Sequence, residues 1–360
     1  RQAWSDLAEG TPQRRSRFQQ WPPAGSTPTG GWLAGNWTQS APYNAFCPLD
    51  LAHSSARSQA GCPAVAMAMI LDYHGTIQET SLGGGDRYYH NYAGNAYWIP
   101  DASFQYGFPS FATLNGYLQT VTQHWEQGTP LTNTDKAALT FACGVGARQV
   151  YSAAGSGTFG VDQALASYQR FGFSGCRLVL DTDPQMYPDL AEQMQNALPA
   201  HLAVVDPGWS MGHNVVVDGY NTDDYFHLNF GWGGPYNGWY LLPQGMPYGL
   251  TVVEGLILDI VPSATAVPET QGPRLSFALA GYPNPSNSSV TLSFTAPSAG
   301  HARLGVYDVS GRLQAEVLDG ETRAGRQALV WTPGRLVAGV YLTRLELAGR
   351  VEMRRLVITR

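Results

Sequence analysis

Lysine is nearly missing from this 360-residue chain: Lys136 stands alone against twenty arginines. Charged side chains of all kinds make up only 13%, about half the roughly 25% of an average globular protein. No run of positive charge is long enough to form a nucleic-acid surface. No apolar stretch reaches the roughly 18–20 residues that span a bilayer. Cysteine is scarce too. Cys47, Cys62, Cys143 and Cys176 are too scattered for a disulfide scaffold, and none forms a C-x-x-C pair of the zinc or redox kind. An oxidising compartment would admit at most one bridge, Cys143–Cys176. Nothing in the pattern calls for a metal or a cofactor.

What the chain does have is apolar and aromatic material, 44% and 12% of its residues, spread from end to end, with 41 glycines and 24 prolines. Such a composition folds, and its low charge and many turn residues describe a β-rich or loop-rich extracellular protein. The length exceeds one comfortable core and predicts two domains or three. Charge divides unevenly between them: residues 1–273 hold ten basic and twenty-one acidic side chains, residues 274–360 eleven and six. The first residue is Arg1 rather than Met, so an upstream signal or propeptide is expected to have been removed.

Residues 1–31 are polar and rich in Pro and Gly, with Arg14, Arg15 and Arg17 clustered, and read as a poorly ordered leader or propeptide remnant. Residues 32–262 mix helical and strand periods. Ala64–Tyr73 is apolar nearly all round and predicts a buried helix, with Pro63 suited to its first turn and Gly75 to its end. Helix signals also cover Asp162–Arg170 and Asp189–Ala197. After Pro199 short strands follow at His213–Tyr220, Tyr225–Phe230 and Gly238–Leu242, a twisted antiparallel sheet behind a helical portion, hence an α+β domain. Residues 263–276 read as a linker. Beyond them Val290–Phe294, Ala302–Asp308, Gln327–Trp331, Gly339–Leu347 and Val351–Ile358 alternate apolar and polar residues, with turns at Ser310-Gly311 and Asp319-Gly320. That pattern predicts a small all-β sandwich over 277–360.

The chemistry gathers at Cys62. It follows Gly61 and opens the buried helix, where the positive end of the macrodipole favours thiolate. A free cysteine is more often an inert packed one, so its partners decide. His213 opens an apolar strand after Gly212, with room for the ring to take and return a proton. Asn229 lies on the next strand, where its amide oxygen could hold the imidazole N–H and fix the tautomer. Gln39 could join the Cys62 backbone N–H as an oxyanion hole. His74, His90, His124 and His201 are read as hydrogen-bonded structural histidines, and His227 as packing within its strand.

These blocks, WTQSAPYNAFCP, QAGCPAVAMAMILDYHG, YSAAGSG and GHNVVVDGYNTDDYFHLNFGWGG, resemble in this order the streptopain family of papain-like cysteine peptidases. The resemblance implies a papain-like fold and a secreted endopeptidase, acting on protein or peptide substrates and made as a zymogen with an N-terminal propeptide. It implies Cys62 as nucleophile, His213 as general acid/base, Asn229 as the residue orienting it and Gln39 as the oxyanion glutamine. Gly155, Ser156 and Gly157 would line the substrate, with Gly212, Phe230 and Trp232 beside it. An apolar substrate residue just before the cleaved one is implied as well. Three positions depart from the family: Pro63 after the cysteine, Asn214 where Ala is usual, and Phe230 where Trp is usual. Separately, YPNPSNSSVTLSF, LGVYDVSGRL and AGVYLTRLELAGRVEMRRLVITR are similar to the Ig-like C-terminal sorting domains of type IX secretion cargo. Such a domain implies the secretion machinery as a partner and an extracellular or surface-attached product. Two other readings fit the residues less well: a weak or inactive papain-like scaffold that binds peptides as an adhesin, and a transglutaminase- or amidase-like acyl transferase.

Overall fold

A helix that is apolar around its whole circumference has no face to give to solvent. In the computed structural model of the chain, α1 (Cys62–His74) is buried from Pro63 to Leu71. It starts at Cys62 itself, with Pro63 in the first turn, where a missing N–H is no loss. Gly75 ends it in the left-handed region at φ 61°, donating its N–H to the Leu71 and Asp72 carbonyls. The structure describes residues 18–78, 81–263, 280–282, 286, 289–296, 299–308, 312–323, 325–334, 336–347 and 350–359. Arg14, Arg15 and Arg17, most of the expected linker and the Pro283-Asn284-Pro285 segment lie outside them.

The chain divides into two units, residues 1–265 and 266–360. In the first, α1 packs with α2 (Ser103–Tyr106), α3 (Phe111–Glu126), α4 (Asn133–Gly146) and α5 (Val161–Arg170), while α6 (Met186–Gln195) stands apart. The strands are β1 (Gln20–Trp21), the hairpin β2 (Tyr88–Tyr92) and β3 (Asn95–Ile99), β4 (Arg177–Val179), β5 (Ala200–Val205), β6 (Gly212–Asn221), β7 (Phe226–Asn229), β8 (Gly238–Tyr240) and β9 (Val252–Leu258). An antiparallel sheet runs β4-β9-β5-β6-β7-β8, with β1 laid against β6. Residues 18–31, read above as poorly ordered, are thus partly held by the sheet: Gln20 pairs with Asn221 and Trp21 with Tyr220.

Both faces of this sheet are covered. Ala203, Val216 and Ile257 enter the core formed by α1, α3, α4 and α5. Leu202, Val204, Val215 and Val217 enter a second core with Met186, Leu190 and Met194 of α6. Successive strand residues point to opposite faces. In β6, His213 pairs with Val204 and Asn214 with Ala203, so these two neighbours face opposite sides and Asn214 turns toward α1. The one bridge that the sequence left open, Cys143–Cys176, is not formed. Both cysteines are free and buried, Cys143 within α4 and Cys176 just before β4, where a packed thiol is simply a small apolar group.

The second unit is all β: β10 (Ala280–Tyr282), β11 (Val290–Ala296), β12 (Gly300–Asp308), β13 (Leu313–Thr322), β14 (Gly325–Trp331), β15 (Gly339–Leu347) and β16 (Arg350–Ile358). They form one sheet ordered β10-β11-β14 and another ordered β13-β12-β15-β16. Leu292 and Phe294 from the first meet Leu304, Leu345 and Leu356 from the second in one core. Asp319-Gly320, read from sequence as a turn, lies inside β13. Asp319 faces Arg303 across the ladder and accepts its guanidinium at 2.6 Å.

Candidate active site

The residue before Cys62 must be glycine. Gly61 has φ 86°, and a Cβ there would stand 2.5 Å from the Gln149 amide oxygen, while the Gln149 NH2 donates to the Ala60 carbonyl at 2.8 Å. The tight turn brings Cys62 onto the helix start at the wall of a cavity of about 740 Å³. His213 and Asn214 line the same cavity from β6, together with Gly155, Ser156, Gly157, Gly212 and Glu254.

His213 is buried, and its Nε2 lies 2.8 Å from the carbonyl oxygen of Phe230. A carbonyl can only accept, so Nε2 carries the proton and Nδ1 is left free as a base. The rings of Trp232 and Phe230 stack on the imidazole at 4.3 Å and 5.9 Å. Burial pushes the imidazole down to about 4, against the Phe230 hydrogen bond that raises it. Burial also pushes the Cys62 thiol up to about 11, against the backbone and side-chain N–H groups of Asn214, which favour thiolate. Desolvation therefore overrides the helix macrodipole at Cys62: both groups favour their uncharged forms at rest. Among the described residues no hydrogen bond joins the thiol to the imidazole.

Asn229 does not take the place expected of it. In the ladder it faces Val216, three residues along from His213. Its NH2 donates to Gly35 O and its Oδ1 accepts from Gly231 N, each at 3.1 Å. The group on the imidazole is instead the next residue's main-chain carbonyl. Phe230 and Trp232, expected against substrate, stand behind the ring, and Phe230 is fully buried. Gln39 is held beside the cysteine turn, its carbonyl accepting from Ala60 N at 2.8 Å. The adjoining Trp37 carbonyl accepts from Gly233 N at 2.7 Å, tying this loop to the glycine-rich turn after β7.

The 152–157 loop is locked from within. Val150 and Gly157 exchange both backbone hydrogen bonds, and the Ser152 hydroxyl donates to Gly155 O at 3.0 Å. Asp50 accepts from Ala153 N at 2.9 Å. Burial alone would raise that carboxyl, but hydrogen bonds from Ala153, His53 and Asn95 outweigh it and hold it at about 2. The cavity rim carries Phe159 and Trp209, 78% and 65% exposed, an apolar edge left open to a ligand.

Sequence reasoning passed over three groups. Asn214, noted only as a departure from the usual alanine, places its Nδ2 4.0 Å from the Cys62 sulfur. His201, read as structural, sits behind it. Glu254 enters the cavity from β9, which carries no turn signal or motif to mark it. The strand period alone, applied from His213, would have turned Asn214 toward the helix.

Residues 37–240 match the peptidase C10 family, and residues 280–359 match the secretion system C-terminal sorting domain. The thiol protease/hemagglutinin PrtT of Porphyromonas gingivalis is 27% identical over 209 residues, 56% of this chain. The chain spans about a fifth of that relative's length, 22%. Interpain A, a cysteine protease of Prevotella intermedia, superposes with a TM-score of 0.48 at 23% identity, over 65% of this chain and 94% of its own. PorZ, a surface component of the type-IX secretion system of Porphyromonas gingivalis, gives a TM-score of 0.18 at 15% identity, over 44% of this chain and 22% of its own.

Proposed function

The chain belongs to the peptidase C10 family, the streptopain family of cysteine proteases, and from that premise we propose that it is an endopeptidase acting through an acyl-enzyme on Cys62. A C-terminal type IX sorting domain follows the protease and marks an extracellular or cell-surface protein. The observation that carries the reading is one cavity holding Cys62 at a helix start and His213 with its proton fixed on Nε2 by the Phe230 carbonyl.

Nδ1 of His213 takes the thiol proton as Cys62 attacks the scissile carbonyl carbon, so that a neutral pair becomes charged only during reaction. The oxyanion is received by the Cys62 backbone N–H and the Gln39 amide. The imidazolium returns its proton to the leaving amine, giving a thioester and the first product. Water, deprotonated by the same Nδ1, then attacks the thioester and releases a carboxylic acid and free thiol. Asn229 acts at one remove, holding Gly231 N and Gly35 O and thereby the peptide whose carbonyl orients the ring. The Gly155–Gly157 loop and Gly212 border an extended substrate backbone, and Phe159 and Trp209 offer apolar surface to its side chains. The sorting domain is read by the secretion machinery.

Casein hydrolysis tests this. The intact chain is expected to cleave casein, and iodoacetamide or Cys62→Ala to abolish cleavage. If wild type and Cys62→Ala both leave casein intact but bind peptides equally, the cavity is a binding groove. Amine incorporation into glutamine substrates without cleavage would point to acyl transfer instead.

A further inference from the structure

Behind Asn214 lies a line of buried polar groups that the mechanism above leaves unused. The Asn214 Oδ1 is 2.6 Å from His201 Nε2, and His201 Nδ1 is 3.1 Å from the Tyr168 hydroxyl. Tyr168 comes from α5 and is fully buried, as is His201 on β5. Complete burial presses His201 down to about 4, against the Asn214 hydrogen bond, so at neutral pH it is an uncharged imidazole with one donor and one acceptor. The amide oxygen needs a donor, so the proton is on Nε2, and Nδ1 accepts from the Tyr168 hydroxyl. With its oxygen on His201, the Asn214 amide turns its NH2 toward Cys62, which its Nδ2 approaches to 4.0 Å.

We infer that Tyr168, His201 and Asn214 form a fixed chain of donors ending on the Cys62 sulfur, which makes Asn214 a further catalytic residue with His201 and Tyr168 positioning it. The inference rests on Cys62 being the nucleophile. Each donor in such a chain polarises the next. A hydrogen bond onto a charged acceptor is about twice as strong as one between neutral groups. The Asn214 amide therefore gains strength as the thiol becomes thiolate, opposite in sense to the burial that raises the thiol. An alanine at 214 could not do this, and neither could an asparagine free to flip its oxygen toward the sulfur. The titratable groups lining the cavity with Cys62 are His213 from β6, Glu254 from β9 and Tyr92 from β2. The Glu254 charge opposes the thiolate, so the amide works against it as well as against burial.

The experiment is the pH profile of Cys62 alkylation by iodoacetamide, in which the sulfur displaces iodide and only thiolate reacts. Loss of one charge-assisted hydrogen bond predicts a profile about one pH unit higher and alkylation about tenfold slower at pH 7 in Asn214→Leu. His201→Phe, which fills the volume without a donor, should match it. His201→Gln, whose amide can still donate to Asn214, should restore most of the rate, and Tyr168→Phe should cost about twofold. For casein, kcat should fall about tenfold in Asn214→Leu while KM stays within about twofold. An unchanged or faster profile in Asn214→Leu overturns the inference, as does His201→Gln reacting as slowly as His201→Phe. Should His201→Phe not fold, Asn214→Leu at the cavity wall decides alone. Alkylation does not require hydrolysis, so a wild type that leaves casein intact yet shows these shifts would sink the peptidase reading and spare the donor chain.

Discussion

The two ends of strand β6 carry the same chemistry to different effect. At one end His213 meets the main-chain carbonyl of Phe230 and borders the cavity with Cys62. Toward the other, Asp218 and His227 meet at 2.6 Å, both fully enclosed. The N-terminal segment closes over that pair: Leu33 N donates to Asp218 at 3.0 Å, and a Cβ on Gly31 would stand 2.2 Å from the carboxylate. A histidine with a carboxylate partner looks more like a catalytic pair than one with a carbonyl. Yet the Asp218–His227 pair is enclosed by the fold, whereas His213 borders the cavity that also holds Cys62. Access to the cavity, rather than residue type, separates the candidate site from the structural pair.

The largest effects are expected at the cavity end. Cys62→Ala should reduce kcat by about 10³-fold or more while leaving urea denaturation curves nearly unmoved. A comparable kcat loss from an exposed-surface control would erase the distinction. At the closed end the pattern should invert. Asp218→Ala leaves a buried imidazole without its partner and should cost roughly 2–5 kcal/mol in urea unfolding, with kcat per titrated active site within about twofold of wild type.

Acid sharpens the contrast further. Burial holds both His201 and His213 at about 4, below the roughly 6.5 of a free imidazole. Between these values the unfolded chain binds the extra protons. Each histidine's contribution to stability is therefore full above pH 6.5 and lost as pH falls to 4, by about 1.4 kcal/mol per pH unit. His201→Phe should flatten the slope by one histidine's share, and an unaltered slope would show that His201 titrates normally. The smallest effect belongs to Glu254, whose charge raises the thiol. Glu254→Gln should speed Cys62 alkylation at pH 7 about two- to threefold.

What the sequence makes legible is what side-chain identity determines locally. Gly61-Cys62-Pro63 ahead of an all-apolar run places a cysteine at the start of a buried helix, and α1 begins there. Gly212-His213 ahead of three valines marks β6. Less legible is what register decides. Asn229 sits on the adjacent strand as its position suggests, but the ladder sets it opposite Val216, and the ring is held by a backbone atom that no residue letter announces. β5 is buried along its whole length, so it shows no alternation to read. His201 could not be told from any other core histidine until the fold set Asn214 and Tyr168 against it. In β13, Asp319-Gly320 spells a turn, but pairing to β12 and the Arg303 contact override the local preference.

The central claim is that one thiol, Cys62, performs the reaction. Burial raises all four thiols, but Cys47, Cys143 and Cys176 are enclosed whereas Cys62 opens on the cavity. Limiting iodoacetamide, with the modified residue mapped by mass spectrometry and casein hydrolysis followed in the same samples, tests it directly. Label is expected on Cys62 alone, with activity lost in step with its occupancy. Hydrolysis that persists once Cys62 is fully alkylated would contradict it.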